Sequence, residues 1–269
     1  MKKFIIIFLF LLSFLEANQR IVSLSPSITE ILFALGKGDE VVATTTYSLY
    51  PKEAQKLPVI GSYISVDIEK IISLKPTLVV AQQFLQKDTK NLQKLSIDVL
   101  HVKLDTIEHI ENSIMLLGKR LGTFTEAKKL VALIEKAKKE VKHSQKQKRV
   151  LVVFGLHEKI QSGIYVSGNH LFYDEILKIC GDRNAFEDES ISQPVLNYEH
   201  IVALNPDAII ILHSPKSNPH VNRQKALKAW KALPVNATKN DAIYIIEDDY
   251  ISIPSHRIAL SIKRICGVL

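Results

Sequence analysis

The chain has 269 residues, 10 prolines, 10 glycines and a formal net charge of +7, which falls to +6 when Lys2, Lys3 and Glu16 are set aside as part of a leader. That length leaves room for two α/β lobes, each burying its own core. The basic balance suits anionic ligands or lipid surfaces, and beyond an export leader it argues against nucleic acid as a partner.

Lys2 and Lys3 precede an apolar run from Phe4 to Leu15, with Ala17 as a small residue at a cleavage point. This reads as a secretory signal peptide over residues 1–17, with the mature chain starting near Asn18 and carrying no lipid-anchoring cysteine there. No later stretch is apolar for long enough to span a bilayer. The expected location is the periplasm. The two cysteines, Cys180 and Cys266, then pass through an oxidising compartment, where an even, widely spaced pair favours a disulfide over a metal site.

Taken in order, RIVSLS reads as a strand and PSITEILFALG as a helix, with Ser25 as N-cap, Pro26 in the first turn, an apolar face of Ile28, Ile31, Leu32 and Leu35, and Gly36 as the stop. EVVATTT is a second strand. In DIEKIISLKPTLVV, Asp67 caps a helix of about two turns that ends at Leu74 before Pro76 and a buried strand. SIDVLHV is another strand. From Phe124 to Gln147 the sequence has no proline or glycine, and Ala127, Leu130, Leu133, Ile134 and Val141 recur with a helical period, predicting one long amphipathic helix. The alternation then resumes with RVLVVFG, YDEILKIC, NYEHIVALNPDAII and AIYIIED, before a last helix from about Ser255 to Cys266. The expected fold is α/β: two lobes with mostly parallel sheets, residues 18–122 and 148–269, joined by a single helix over 123–147 with a ligand cleft between them.

DIEKIISLKPTLVV and NYEHIVALNPDAII share the pattern E-x-I-x-x-L-x-P followed by an apolar run, with Glu69 and Glu199 in matching places. Helix, proline stop and buried strand suit any α/β unit. Each glutamate is also favoured beside the positive end of its helix dipole. A sharper reading is that each lobe displays one carboxylate at an equivalent surface position, a pair suited to a two-fold partner carrying arginines.

RIVSLSPSITEILFALGKGDEVVATT, YPKEAQKLPVIGSY and DIEKIISLKPTLVVA, then SGNHLFYDEILKICGDRNAF, YEHIVALNPDAIII and AWKALPVNATKNDAIYII, are similar in order to the periplasmic binding proteins of metal-chelate ABC importers. This helical-backbone family includes cobalamin, ferric-siderophore and haem carriers. The resemblance implies a monomeric carrier with two lobes around a ligand cleft, and it implies that Glu69 and Glu199 engage arginines of a dimeric inner-membrane permease. Cys180 and Cys266 resemble the disulfide pair of the cobalamin carrier, and DDYISIPSHR, with Asp249 and Arg257, resembles its pocket segment. The corrin-stacking tryptophans of that carrier are absent: Gln82, Gln83 and Gln193 stand in the corresponding segments, and the only tryptophan, Trp230, suits packing.

Candidate cleft residues on loops after strand ends are Tyr47, Tyr50, Tyr63, Gln83, Phe84, Tyr165, His170, Tyr250 and Arg257. A tyrosine offers a planar face to a tetrapyrrole and a phenol that ligates ferric haem iron. Tyr63 lies one position from the ligand tyrosine of the haem carriers. His170 falls in the loop where some of them supply a histidine. If haem is the cargo, these two are the candidate iron ligands, and Arg257 would neutralise a ligand carboxylate. No HExxH, CxxC or close histidine pair is present, and His101, His109, His143, His157 and His220 read as surface residues.

An enzyme lacks support: there is no GxSxG, GKGD at 36–39 follows a helix, and the neighbouring Asp248 and Asp249 suit a solvated loop. The expectation is therefore a carrier with no catalytic cofactor, taking an iron compound, haem ahead of a ferric siderophore, with cobalamin as the alternative.

Overall fold

The computed structural model describes residues 19–161, 163–188, 190–214 and 221–269. The leader over residues 1–17 and His220 lie outside them. No helix among the described residues is long and apolar enough to cross a membrane.

The first lobe runs β1 (Ile21–Ser23), α1 (Pro26–Ala34), β2 (Val41–Ala43), a ribbon of β3 (Gly61–Ser62) and β4 (Ser65–Val66), α2 (Ile68–Ser73), β5 (Leu78–Gln82), α3 (Lys90–Lys94) and β6 (Asp98–Val102). Its sheet is parallel in the order β2-β1-β5-β6. Two helices follow, α4 (Ile107–Arg120) and α5 (Phe124–Glu140). The second lobe comprises β7 (Arg149–Phe154), β8 (Ile164–Tyr165), α6 (Phe172–Ile179), β9 (Arg183–Asn184), β10 (Val195–Leu196), α7 (Tyr198–Leu204), β11 (Ala208–Leu212), α8 (Arg223–Lys231), α9 (Asn236–Lys239), β12 (Ile243–Ile246) and α10 (Ile258–Val268). Its sheet is parallel in the order β12-β11-β7-β9. Read from the other edge, β9-β7-β11-β12 repeats the first sheet strand for strand.

Local chemistry sets the element ends. Ser25 accepts from the Ile28 amide at 3.2 Å to cap α1, whose Ile28, Ile31 and Leu32 are fully buried. After α1 the chain reverses through Gly36 at φ 77°, a left-handed turn that suits glycine. The connecting helix is shorter than its periodicity predicts. It ends at Glu140, and Val141 is already extended at ψ 145°, half-buried against the core. Beyond it, KHSQKQ has no apolar stripe to bury, so tertiary packing gives those residues no reason to remain helical.

The largest apolar cluster crosses between lobes. Ile28 and Ile31 of α1, Ile110 and Ile114 of α4, Ile134 of α5, Val150 of β7 and Ile262 of α10 belong to one continuous core. The outer faces of the two sheets have separate cores, around Val79 and Leu92 in one lobe and around Ile209 and Trp230 in the other. Trp230 is fully buried, in keeping with a packing role. A shared core makes the lobes two halves of one packed body around a gap. Cys180 and Cys266 form a disulfide joining the end of α6 to α10.

Candidate functional site

The carboxyl ends of parallel strands face the gap, the usual place for a ligand in an open α/β sheet. β5 delivers Gln82, Gln83 and Phe84, β6 delivers Lys103 and Asp105, and β7 delivers Phe154 to a cleft of about 740 Å³. Phe172 and Tyr173 from the first turn of α6 and Gln193 complete the opposite wall. Where the walls meet, the cleft is lined by Pro26 and Ser27 of α1 and by Ser252, Ile253 and Pro254. Most of this lining is apolar or aromatic. Lys103 and Asp105 are its charged residues, and the Asp105 carboxylate is bonded to His109 Nδ1 at 2.6 Å.

Of the candidate cleft residues, Tyr63, Gln83 and Phe84 line this gap. Tyr63 sits at the tip of the β3–β4 ribbon and meets Phe84 edge-on, ring centroids 6.4 Å apart; the two are 45% and 55% exposed, leaving ring surface available to a ligand. Gln82 and Gln193 also line it. Tyr47, Tyr50, Tyr165, His170, Tyr250 and Arg257 are not among the lining residues. Tyr47 and Tyr165 are exposed, His170 is exposed on a left-handed loop residue, and Tyr250 packs against the shared core.

Arg257 is placed differently from its expected role. Its side chain is 8% exposed and is paired across the lobes with Glu30 of α1, itself 3% exposed. Nε donates to Glu30 Oε2 at 3.0 Å, Nη2 donates to Glu30 Oε1, and Nη1 donates to Asp249 at 2.8 Å. The Tyr50 ring covers the guanidinium at 4.0 Å. Burial pushes the Glu30 carboxyl above its usual value, opposed by hydrogen bonds from Arg257 and Ser255. Three donors on Arg257 are thus already engaged by the protein's own carboxylates.

Phe154, Phe172 and Tyr173 are cleft residues that the sequence reading did not select. Their rings form a cluster, tilted by 37° with centroids 4.1 Å apart for Phe172 and Tyr173, and edge-on with centroids 5.4 Å apart for Phe154 and Tyr173. The Tyr173 hydroxyl donates to the Ile251 carbonyl at 2.8 Å, and burial raises its pKa, so it stays a neutral donor. A strand-end rule applied to RVLVVFG would have found Phe154. His101 and His157, expected at the surface, are half-buried: His101 Nε2 bonds to Thr89 and His157 Nε2 to the Phe154 carbonyl. No group of three or more His, Cys, Asp or Glu side chains placed to hold a metal occurs among the described residues.

The echoed helices α2 and α7 are built alike. Asp67 accepts from the Lys70 amide at 2.9 Å and Asn197 from the His200 amide at 2.8 Å, which places Glu69 and Glu199 at the second residue of a capped helix, both exposed. At the other end Arg20 donates to the Leu74 carbonyl at 2.7 and 3.1 Å, and Arg149 donates to the Leu204 carbonyl at 2.7 Å. The backbone amides of the same arginines donate to Thr77 Oγ1 and Asp207 Oδ2, one residue past the matching prolines. Each lobe therefore holds its glutamate on a helix fixed at both ends.

The periplasmic binding protein family model matches residues 21–250. The chain belongs to the periplasmic binding protein family. Within it, the chain is 31% identical over 258 residues to an uncharacterized ABC transporter substrate-binding lipoprotein, YvrC of Bacillus subtilis, covering 92% of this chain and 78% of that one. The crystal structure of the periplasmic vitamin B12 binding protein BtuF of Vibrio cholerae superposes with a TM-score of 0.76 at 25% identity, over 93% of this chain and 96% of that one. The periplasmic haem-binding protein HutB of Vibrio cholerae has the same fold, with a TM-score of 0.78 at 21% identity over 93% and 98% of the two chains. These relatives of the family are binding proteins, and the two-lobed α/β architecture with a cleft between lobes is theirs as well.

Proposed function

We propose that the protein captures a metal chelate with a large, mostly apolar organic shell, haem ahead of a ferric siderophore, and delivers it to a dimeric ABC permease in the inner membrane. The observation that carries this reading is the cleft of about 740 Å³ with Tyr63 and Phe84 on one wall and Phe154, Phe172 and Tyr173 on the other. A gap lined by aromatic side chains suits a flat macrocycle, Lys103 suits an acidic substituent on it, and the half-exposed Tyr63 phenol suits ferric iron. His170 enters as an iron ligand only if its loop moves toward the cleft. Cobalamin is the second reading, favoured by the 25% identity to a vitamin B12 binding protein over nearly the whole chain and by the Cys180–Cys266 bond.

Delivery fits Glu69 and Glu199, one per lobe on equivalent capped helices, as contacts for arginines of a two-fold partner. Export through a cleaved leader fits the disulfide, which suits an oxidising compartment. Both cysteines are consumed by that bond, which supports a monomer free in the periplasm over a chain anchored through a lipidated cysteine.

Parallel titrations of the purified mature chain with haemin and with cyanocobalamin, followed by visible absorbance, test the cargo. A saturable one-to-one Soret change that Tyr63→Ala weakens by about tenfold, on the order of one lost close contact, supports haem. Saturable cyanocobalamin binding without a haemin response moves the cargo to cobalamin. Reversing both Glu69 and Glu199 to Arg should abolish stimulation of the permease ATPase and leave ligand affinity unchanged; undiminished stimulation rejects the docking role.

A further inference from the structure

Two of the segments that line the cleft lead directly into one buried ion pair. Pro26 and Ser27 line it from the first turn of α1, and Glu30 lies on the next turn of the same helix. From the other lobe Ser252, Ile253 and Pro254 line it where the walls meet, and Ser255 and Arg257 follow at once. Ser255 Oγ and two nitrogens of Arg257 donate to the single Glu30 carboxylate, and the Arg257 amide donates to Ser255 Oγ at 3.2 Å. Tyr173 holds the 251–254 segment from its other side through the Ile251 carbonyl. We infer that Glu30 and Arg257 are positioning residues for ligand capture: their ion pair fixes how far apart the cleft walls stand, and so which ligand the gap accepts.

The chemistry supports this role. A bidentate arginine–carboxylate pair is directional, so it holds a distance and an angle where an apolar contact would allow sliding. Both partners are withdrawn from solvent, which leaves little screening and makes separation of the charges unfavourable. A second cross-lobe contact, the Phe172 amide to the Asp105 carbonyl at 2.7 Å, joins two further lining residues. It is a single neutral hydrogen bond and constrains orientation less than the fork does.

The inference rests on this cleft being the ligand site, so its test has an arm that needs no ligand. Spin labels at Lys90→Cys and Lys228→Cys, exposed positions on opposite lobes, report the interlobe distance in the ligand-free protein. The double variant Glu30→Gln/Arg257→Met removes the pair without stranding a buried charge, a replacement that such sites commonly tolerate. The distance distribution should broaden in the double variant, with Arg257→Lys, which keeps the charge but loses the fork, falling between it and wild type. Affinity for whichever of haemin or cyanocobalamin binds should fall by about tenfold in the double variant, and the ratio of the two affinities should move toward one. Phe84→Ala should weaken binding with no change in distance, separating a contact residue from a positioning one. A distance distribution superimposable on wild type overturns the inference. If neither probe binds wild type, the cargo reading fails and the distance arm alone decides this one.

Discussion

His256, next to the cross-lobe arginine, gives the structure a calculable sensitivity to acid. Its Nδ1 is buried without a hydrogen-bond partner among the described residues. Burial, and secondarily the Arg257 guanidinium, lower its pKa from 6.5 to about 4. The unfolded chain therefore takes up a proton near pH 6.5 that the folded chain refuses until about pH 4. Because the folded pKa is depressed, the stabilisation is complete above pH 6.5 and is lost progressively as pH falls toward about 4. At 1.36 kcal/mol per pH unit for one proton, the loss across that window is roughly 3 kcal/mol, a large share of a net stability on the order of 5–15 kcal/mol. Urea unfolding of wild type and His256→Phe, measured from about pH 7.5 to about pH 4.5, isolates the effect as the difference between the two curves. The difference is the correct readout because burial also lowers the pKa of His101 and His213, and both residues are present in each protein. Wild type should lose stability faster than the variant as pH falls. Parallel curves would refute the argument that this imidazole is held neutral by burial.

Two further predictions concern the frame around the site. The Cys180–Cys266 bond spans 86 residues, so the chain-entropy model assigns it about 4–5 kcal/mol, and the double replacement by alanine should lower the thermal midpoint by on the order of 10 °C. A midpoint unaltered in the double variant would show that the denatured chain gains no freedom from losing the link. Arg149→Met removes donors to the Leu204 and Ala185 carbonyls, at 2.7 and 3.2 Å in a half-buried setting, and should cost about 1–3 kcal/mol in urea unfolding. Arg20→Met removes the equivalent clamp from an exposed carbonyl and should cost less; equal losses would refute the burial argument.

What was legible in the sequence was what is encoded locally. The Ser25 and Asp67 caps, the Pro76 and Pro206 stops and the apolar strands each follow from a few adjacent residues, and the structure has them in those places. The α/β alternation followed from them. Helix α4, whose buried face is carried by Ile107, Ile110, Ile114 and Leu117, lies outside the elements read from the sequence. Arg257 was placed as a ligand residue because its neighbours resemble a pocket segment; its actual partner, Glu30, lies 227 positions away and nothing in either neighbourhood announces the pairing. Tyr63 and Gln83 directly follow β3 and β5, and Phe84 comes one residue later, so the strand-end rule reaches these lining residues. Phe172 and Tyr173 were missed because they open a helix rather than close a strand, and only the tertiary fold brings that first turn to the cleft.

The echo between α2 and α7 is part of a wider structural correspondence between the lobes. The two sheets share one strand order, each of the two helices follows a short antiparallel ribbon, and each ends on an arginine just before or at the first strand of its lobe. What differs between the lobes lies between the helices and the cleft. One wall presents Tyr63 from the turn of the β3–β4 ribbon and Phe84 from a 3-10 turn after β5, while the other presents a packed cluster of Phe154, Phe172 and Tyr173 beside a helix that the disulfide secures. Two unlike walls suit recognition of a single asymmetric ligand; matched glutamates on matched helices suit a partner with two-fold symmetry. The same chain can satisfy both demands only if the spacing between its two glutamates is as well defined as the gap between its walls. A core shared across the lobes and a buried ion pair between them define both distances together, so loosening the Glu30–Arg257 pair should disturb docking as well as capture even though neither residue touches the proposed docking surface.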